Sequence, residues 1–318
     1  MAITLADLQL NVQDALQLGV IDEFRKNFWI LENLTFKDCV SPTGGGGTFT
    51  YAYTRLKTQP TASFRQINTD YAPSEVKKER VTVDLKVFGG KFAIDRLAAK
   101  FGGIVDETTL QMQQKIKAAG ALFNEKFITG NSATDEKEFD GIEVIVTGSS
   151  TEFIPEAPID LSTSDAVTKN HTIFLDSLDE YLMQMDGTPT AILGNNKLIA
   201  KIRACARRAS MYTTKLNAFG EQVEYYGVTA LVDMGDKCGT SEPIIPIDST
   251  TGETSLYAVR LALDGVHGVT APNDLLITAF LPEMNKADAV QNGAVEMIAA
   301  IAVESSKSAA IIRKIKVK

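Results

Sequence analysis

Histidine occurs only twice, tryptophan once and cysteine three times in 318 residues. So thin a supply leaves little from which to build a metal centre or a nucleophile with its base. Cys39, Cys205 and Cys238 are odd in number and lack CxxC spacing. That argues against a zinc module or a disulfide framework, and for a reducing compartment. No run approaches about 18 apolar residues, and no basic segment precedes an apolar core near the start, so neither a membrane span nor a secretion signal is expected. A net charge of −8 repels phosphate, and any contact with nucleic acid is expected to be local. What is present is apolar content of 44%, enough for about two domains that stand without staples.

Periodicity predicts an N-terminal arm of two helices. The first carries Leu5, Leu8, Val12, Ala15 and Leu16 and stops at Gly19; the second carries Val20, Phe24, Phe28 and Leu31, with Trp29 and Ile30 widening its face. The run Gly44 to Gly47 leads from loop into alternating Thr48, Phe49, Thr50 and Tyr51. Residues 61 to 95 read as a long β-hairpin. Its outgoing strand lies near Phe64 to Asn68 and its tip near Pro73, and Val81, Val83, Leu85 and Val87 share one face of the return. Glu75, Lys77, Lys78, Glu79 and Arg80 crowd the tip, and the apolar face has no obvious partner in a lone hairpin.

The strongest helical signal runs from about Val105 to Thr129, with Met112, Ile116, Ala119, Phe123 and Phe127 on one face and Gly130 beyond its end. Phe139, Asp140, Gly141 and Ile142 then turn into an expected strand, Val144 to Val146. A middle α/β unit follows from about Leu161 to Val269. Its helices carry Phe174, Leu178, Tyr181, Leu182 and Met185, then Leu198, Ile199, Ile202, Ala206 and Ala209; its strands lie at Pro189 to Leu193, Gly227 to Val232 and Leu256 to Leu261. The last strands are expected at Leu275 to Leu281, Val295 to Val303 and Ile311 to Val317, with helix a rival for the alanine-rich Ala299 to Ala302.

No reaction centre emerges. Gly44 to Gly47 opens a strand, and Gly89, Gly90 and Lys91 are followed by Phe92, so both read as turns rather than phosphate cradles. His171 sits at a helix start and His267 in a turn-like Gly265 to Gly268. Asp135, Glu136 and Glu138 bracket Lys137 in a solvated loop, and Asp233 and Asp236 lack the loop grammar of a calcium site. No cofactor and no metal is expected. From Lys307 onward there are five cations and no acid, Lys307, Arg313, Lys314, Lys316 and Lys318. In the final strand Lys314, Lys316 and Lys318 share one face, and Ile315 and Val317 share the other with Arg313. The lysines either guard an edge strand or make a local polyanion contact.

Taken in order, the arm, the charged hairpin, the long helix ending in Phe123 to Gly130, Glu138-Phe139-Asp140-Gly141-Ile142, and Pro189 to Arg203 (PTAILGNNKLIAKIR) resemble the major capsid protein family of tailed bacteriophages. The resemblance covers nearly the whole chain. It implies an α+β, Hong Kong 97-like capsid fold divided into an N-terminal arm (1–60), an extended hairpin or E-loop (61–95), a peripheral domain with the spine helix (96–160), an axial α/β domain (161–270) and peripheral return strands (271–318). It further implies a shell of hexamers and pentamers around double-stranded DNA, located in the virion and assembled in a bacterial cytoplasm, without a membrane partner. Separate scaffolding and portal proteins are implied partners; the arm starts so early that a scaffold is either a separate protein or already removed. Some family members cross-link between the E-loop and a neighbour; Lys77 or Lys78 has the chemistry to serve, but no match is specific enough to carry that role over. An encapsulin-type compartment shares the fold and is the nearest alternative, and an enzyme built on the middle unit is the alternative of another class. On this reading Lys77, Lys78, Arg80, Val81, Val83, Leu85 and Val87 contact a neighbouring subunit. Asp106 and Glu107 at the spine start are the candidate acceptors, and Lys314, Lys316 and Lys318 the candidate DNA-facing residues.

Overall fold

The computed structural model describes residues 29–39, 47–97, 107–210, 213–216, 222–237, 239–271, 276–283 and 288–318. The first expected helix, the start of the second with Val20, Phe24 and Phe28, the glycines Gly44 to Gly46, Gly102, Gly103, Val105, Asp106, Cys238 and Leu275 lie outside the described residues. The first elements are α1 (Trp29–Asn33), β1 (Phe36–Asp38), β2 (Thr50–Thr58), β3 (Lys77–Asp84), β4 (Lys86–Asp95), α2 (Glu107–Thr129) and α3 (Ile142–Val146). There follow β5 (Glu152–Phe153), β6 (Ile159–Asp160), α4 (Ser164–Met183), β7 (Ala191–Gly194), α5 (Asn196–Arg208), β8 (Thr213–Leu216), β9 (Gln222–Tyr226) and β10 (Thr229–Asp233). The chain closes with β11 (Glu253–Val259), β12 (Val266–Thr270), β13 (Ile277–Phe280), β14 (Val290–Val303) and β15 (Ala309–Lys316).

The long helix α2, roughly 34 Å from end to end, buries two neighbouring ridges, Ala119-Phe123-Phe127 and Gly120-Asn124-Ile128. Phe123 is the centre of an aromatic group, with Phe36, Phe88, Phe127 and Phe139 at centroid distances of 5.7 to 6.4 Å. Phe123 and Phe127 belong to α2 and the other three rings to β1, β4 and the turn after the helix, so the group fastens α2 to all three. That turn depends on two glycines. The Gly141 amide donates to the Gly130 carbonyl at 2.8 Å. A Cβ on Gly130 would stand 2.3 Å from the Phe139 carbonyl oxygen, and one on Gly141 would stand 2.6 Å from that of Ile128. Residues 142–146 are a helix and not the expected strand. Their β-branched residues favour strand locally, but the backbone closes helical bonds from Ile145 to Gly141 and from Thr147 to Glu143, burying Ile142 and Val146 one turn apart.

Two main sheets build the rest of the fold, and the first packs against this helix through β4 and β14. The first has the order β1-β12-β14-β13, with β4 along the other side of β14. Strand, not helix, therefore holds Ala299 to Ala302, because β12 pairs with β14 from Ala299 to Val303 and the β4 ladder reaches Ala299 on the other side. Gly89 and Gly90 lie within β4 rather than in a turn; a Cβ on Gly89 would collide with the Val295 carbonyl oxygen at 2.0 Å. The second sheet, order β5-β15-β11-β7-β10-β9-β8 with β6 also on β15, is the middle unit's. Period-two alternation serves both of its faces. Ala191, Leu193, Tyr257, Val259, Ala309 and Ile311 join the core beneath α2, while Ile192, Leu256, Ala258, Ala310 and Ile312 meet α4 and α5. The return strands expected of residues 271–318 thus divide, β13 and β14 entering the first sheet and β15 the second. β1, β5, β6, β8, β9 and β12 correspond to no strand expected from the sequence, and His267 lies in β12 rather than in a turn.

β15 is not an edge strand: β11 lies on one side and β5 and β6 on the other. Its register against β11 shifts between Thr254 and Leu256, and Lys314 there has a left-handed φ of 57°. This bulge flips the side-chain alternation, so Ile315 and Val317 join Ile312 against α4 and α5 and do not share Arg313's face. Arg313 donates instead to Glu143 at 2.9 Å, Glu152 at 2.6 Å and Thr147 at 2.8 Å, tying α3 and β5 to β15. Because the Gly130–Gly141 contact leaves no room for a methyl group between backbones, Gly130→Ala should cost about 1–3 kcal/mol in denaturant unfolding. An unchanged midpoint would contradict that packing.

Candidate assembly surfaces

The hairpin is built from β2 and β3, with Thr50 opposite Asp84, Tyr53 opposite Val81 and Leu56 opposite Lys78. The expected outgoing strand near Phe64 to Asn68 is instead part of a loop spanning 59–76. The expected single face Val81, Val83, Leu85, Val87 is also broken. β3 ends at Asp84, Leu85 is buried in the core, and β4 resumes with the parity reversed so that Val87 is exposed. Leu85, donating its amide to the Phe49 carbonyl at 2.7 Å, is thus unavailable to a neighbour.

One face of the ribbon's base rests on its own chain, correcting the expectation that it has no internal partner. Tyr51, Tyr53 and Val83 pack on the core that contains β14. Tyr53 Oη donates to the Val303 carbonyl at 2.7 Å and Tyr51 Oη to Glu304 Oε1 at 2.8 Å, while Lys37 Nζ donates to Tyr51 Oη at 2.7 Å. Beside this anchor a cleft of about 450 Å³ opens under the ribbon, with Val81, Val83, Phe139, Ile145 and Ile301 among its walls.

The outer end is different. Phe64 is fully exposed, Ile67 is 89% exposed and Tyr71, Leu56 and Val76 are exposed as well. The loop nonetheless has local structure: Arg65 donates to the Gln66 and Thr69 carbonyls and lies 5.4 Å from the Tyr71 ring centroid, and Asn68 takes a left-handed φ of 69°. Lys77, Lys78 and Arg80 lie on the exposed β3, not at the tip, and make no ion pair among the described residues. Glu79 is the charged residue that does, 3.6 Å from Arg55 across the ribbon. Of the two candidate acceptors, Asp106 lies outside the described residues, and Glu107 is buried at the start of α2 and is no exposed acceptor.

The C-terminal lysines do not form one face. Lys314 sits at the bulge, Lys316 is half-buried and registers with Asp160 and Glu253, and Lys318 alone is exposed. Cys39 and Cys205 are buried free thiols, and burial pushes Cys205 up to about 11. A polar cleft of about 600 Å³ beside the start of α5 has its groups committed locally: Asp248 accepts from the amides of Thr250 and Thr251, and Asn195 caps Leu198 and donates to Thr254. Asp233 accepts from the Gly235 amide. Glu138, with Lys126, closes the turn after α2. Among the described residues no group of three or more His, Cys, Asp or Glu could hold a metal ion, and no helix is long and apolar enough to cross a membrane.

The arrangement is that of an α+β subunit with a projecting ribbon whose base is anchored and whose outer apolar residues are bare. No protein-family model and no curated protein matches the chain. Solved structures do. A subunit of the holo-SrpI encapsulin complex from Synechococcus elongatus PCC 7942 aligns over 99% of this chain and 96% of its own with a TM-score of 0.67 and 15% identity. The capsid of a native GTA particle aligns over 95% and 96% with a TM-score of 0.59 and 10% identity. A protein of Mycobacterium phage Bobi aligns over 98% of each chain with a TM-score of 0.58 and 11% identity. The chain has the Hong Kong 97-like capsid fold.

The anchor contains a titrating group that the sequence reading set aside as a turn residue. His267 is fully buried, its ring edge-on to Tyr51 at 5.7 Å, and neither nitrogen makes a hydrogen bond of good geometry. Burial, with Lys37 adding to it, holds its pKa below the usual 6.5, although Glu304, 3.9 Å away, pulls the other way. The unfolded chain therefore takes up this proton before the folded one does. Stability due to His267 is present above the ordinary value and is lost as pH falls through about 6.5 toward the lower folded value. Chemical denaturation at pH 7 and pH 5 should show that His267→Phe, which keeps the ring against Tyr51, loses less stability on acidification than the parent. An equal loss would remove His267 as the cause.

Proposed function

We propose that this chain is the major capsid protein of a tailed phage, self-assembling as hexamers and pentamers into an icosahedral shell around double-stranded DNA. It assembles in the host cytoplasm and resides in the virion, where separate scaffolding and portal proteins assist closure and contact with the packaged DNA is weak and non-specific. The observation that carries this reading is the ribbon. Phe64, Ile67 and Tyr71 stand in water at the end of two strands that cannot cover them. Burying the first two on a neighbour is worth about 1.5–3 kcal/mol each, repeated at every subunit contact. End-to-end alignment with shell subunits supports the same conclusion.

A second reading, an encapsulin-type compartment, is favoured by the TM-score of 0.67 to the encapsulin subunit against 0.59 and 0.58 for the other two. The contents of the particle separate them. Electron microscopy and nuclease-protection assays on particles from the native source should show closed shells with protected double-stranded DNA; protein cargo without DNA would replace the first reading by the second, and the absence of closed particles would overturn both. In the same assay Phe64→Ser with Ile67→Ser should give folded subunits and at least a tenfold loss of closed shells. Lys77→Glu with Lys78→Glu, on the outer strand, should weaken closure less, since exposed pairs are worth about 0–1 kcal/mol each. Normal assembly of the Phe64/Ile67 variant would remove the ribbon's end as a contact.

A further inference from the structure

The two helices of the middle unit carry net charge of opposite sign. On α4, Asp176 and Glu180 are exposed, one turn apart, and no cation lies three or four residues from either. They stand between two bare apolar side chains on the same stripe, Ile173 at 56% and Met183 at 87% exposure. On α5 there are five cations and no acid, with Lys197 and Lys201, and again Arg203 and Arg207, one turn apart. Lys201 reaches the Ser162 carbonyl and Arg208 reaches Thr168 and Ser164, contacts that hold the helices together without neutralising either charge. Lys197 and Arg207 are exposed and make no ion pair among the described residues. Like charges at this spacing weaken each helix by itself, and the two excesses are complementary.

We propose that the acidic face of α4, with Ile173 and Met183, receives the basic face of α5 from a second copy of this chain, head to tail. This rests on the shell reading and names one of its subunit contacts. A contact between different surfaces of identical copies propagates and closes into a ring when the rotation permits, and charge of opposite sign on its two halves fixes the orientation and suppresses wrong pairings.

Charge reversal tests it, because the four residues to be changed carry no ion pair among the described residues whose loss would confuse the result. Capsomer-sized species are measured by native mass spectrometry and sedimentation, independently of shell closure. Lys197→Glu with Arg207→Glu, and separately Asp176→Lys with Glu180→Lys, should each lose at least tenfold in capsomer formation while keeping the parent's circular dichroism. The two variants mixed should associate into species larger than a dimer, and the chain carrying all four changes should recover capsomers. Milder Asp176→Asn with Glu180→Gln, which reverses nothing, should give an intermediate loss that shrinks at high salt. The proposal is overturned if either two-residue variant assembles like the parent, if the mixture stops at a dimer, or if the mixture and the four-residue variant both fail. Nucleic acid retention that follows residues 197 and 207 alone, unaffected by 176 and 180, would also overturn it and give α5 to a polyanion. Failure of the parent to close shells while its capsomers form would strike at the shell reading and leave this contact standing.

Discussion

A ribbon of two strands has two faces and only one can lie on its own subunit; that constraint organises the rest of this structure. The chain meets it by anchoring the base and leaving the end bare. Tyr51 and Tyr53 reach across to Glu304 and Val303, and Leu85 plunges into the core where the ribbon stops. Past Leu85 the same chain reverses parity, becomes β4, and runs ten residues along β14. The ribbon's launching point is thus part of the central core beneath α2, and its direction is set by packed rings and buried strands rather than by a loose hinge.

The core is built to hold that point still. Phe123 collects rings from β1, β4 and the turn after α2, and the glycine pair lets that turn approach the helix end backbone to backbone. Arg313 carries the connection onward, joining α3 and β5 to the second sheet through two carboxylates. A mixed ionic and hydrogen-bonded junction of this kind orients its partners more than it stabilises them. The two sheets share one core on one side of the second sheet, and α4 and α5 cover its other side.

Much of this was legible because periodicity is strong where burial is one-sided. The 3.6-residue pattern gave α2 and the apolar faces of α4 and α5, although Met185 and Ala209 fall just past their ends; the short apolar run at Pro189 to Leu193 gave β7, and alternation gave most of β14. The failures have physical causes. Phe64 and Ile67 imitate a strand because apolar residues awaiting a partner look like apolar residues that have one; the true strand, Thr50–Thr58, hides its pattern in tyrosines and threonines. Ile142 to Val146 is β-rich in composition and helical by tertiary demand. Nothing about a lysine announces the left-handed bulge at Lys314, so the faces of the last strand were assigned with the wrong parity, and an edge was inferred where short strands β5 and β6 cover it. The candidate surface was legible in outline, as a charged hairpin with unmet apolar residues, but its residues were shifted toward the base: Val87 and Leu85 belong to another strand and to the core, and Glu107 is buried.

The central claim is that the ribbon's outer end is completed by another copy while its base is complete already. Hydroxyl-radical footprinting read by mass spectrometry addresses both halves at once, because it reports side-chain exposure residue by residue. Phe64, Ile67 and Tyr71 should oxidise rapidly in dissociated subunits and several-fold more slowly in assembled particles, with Tyr53 slow in both. Equal rates for Phe64 and Ile67 before and after assembly would contradict the account.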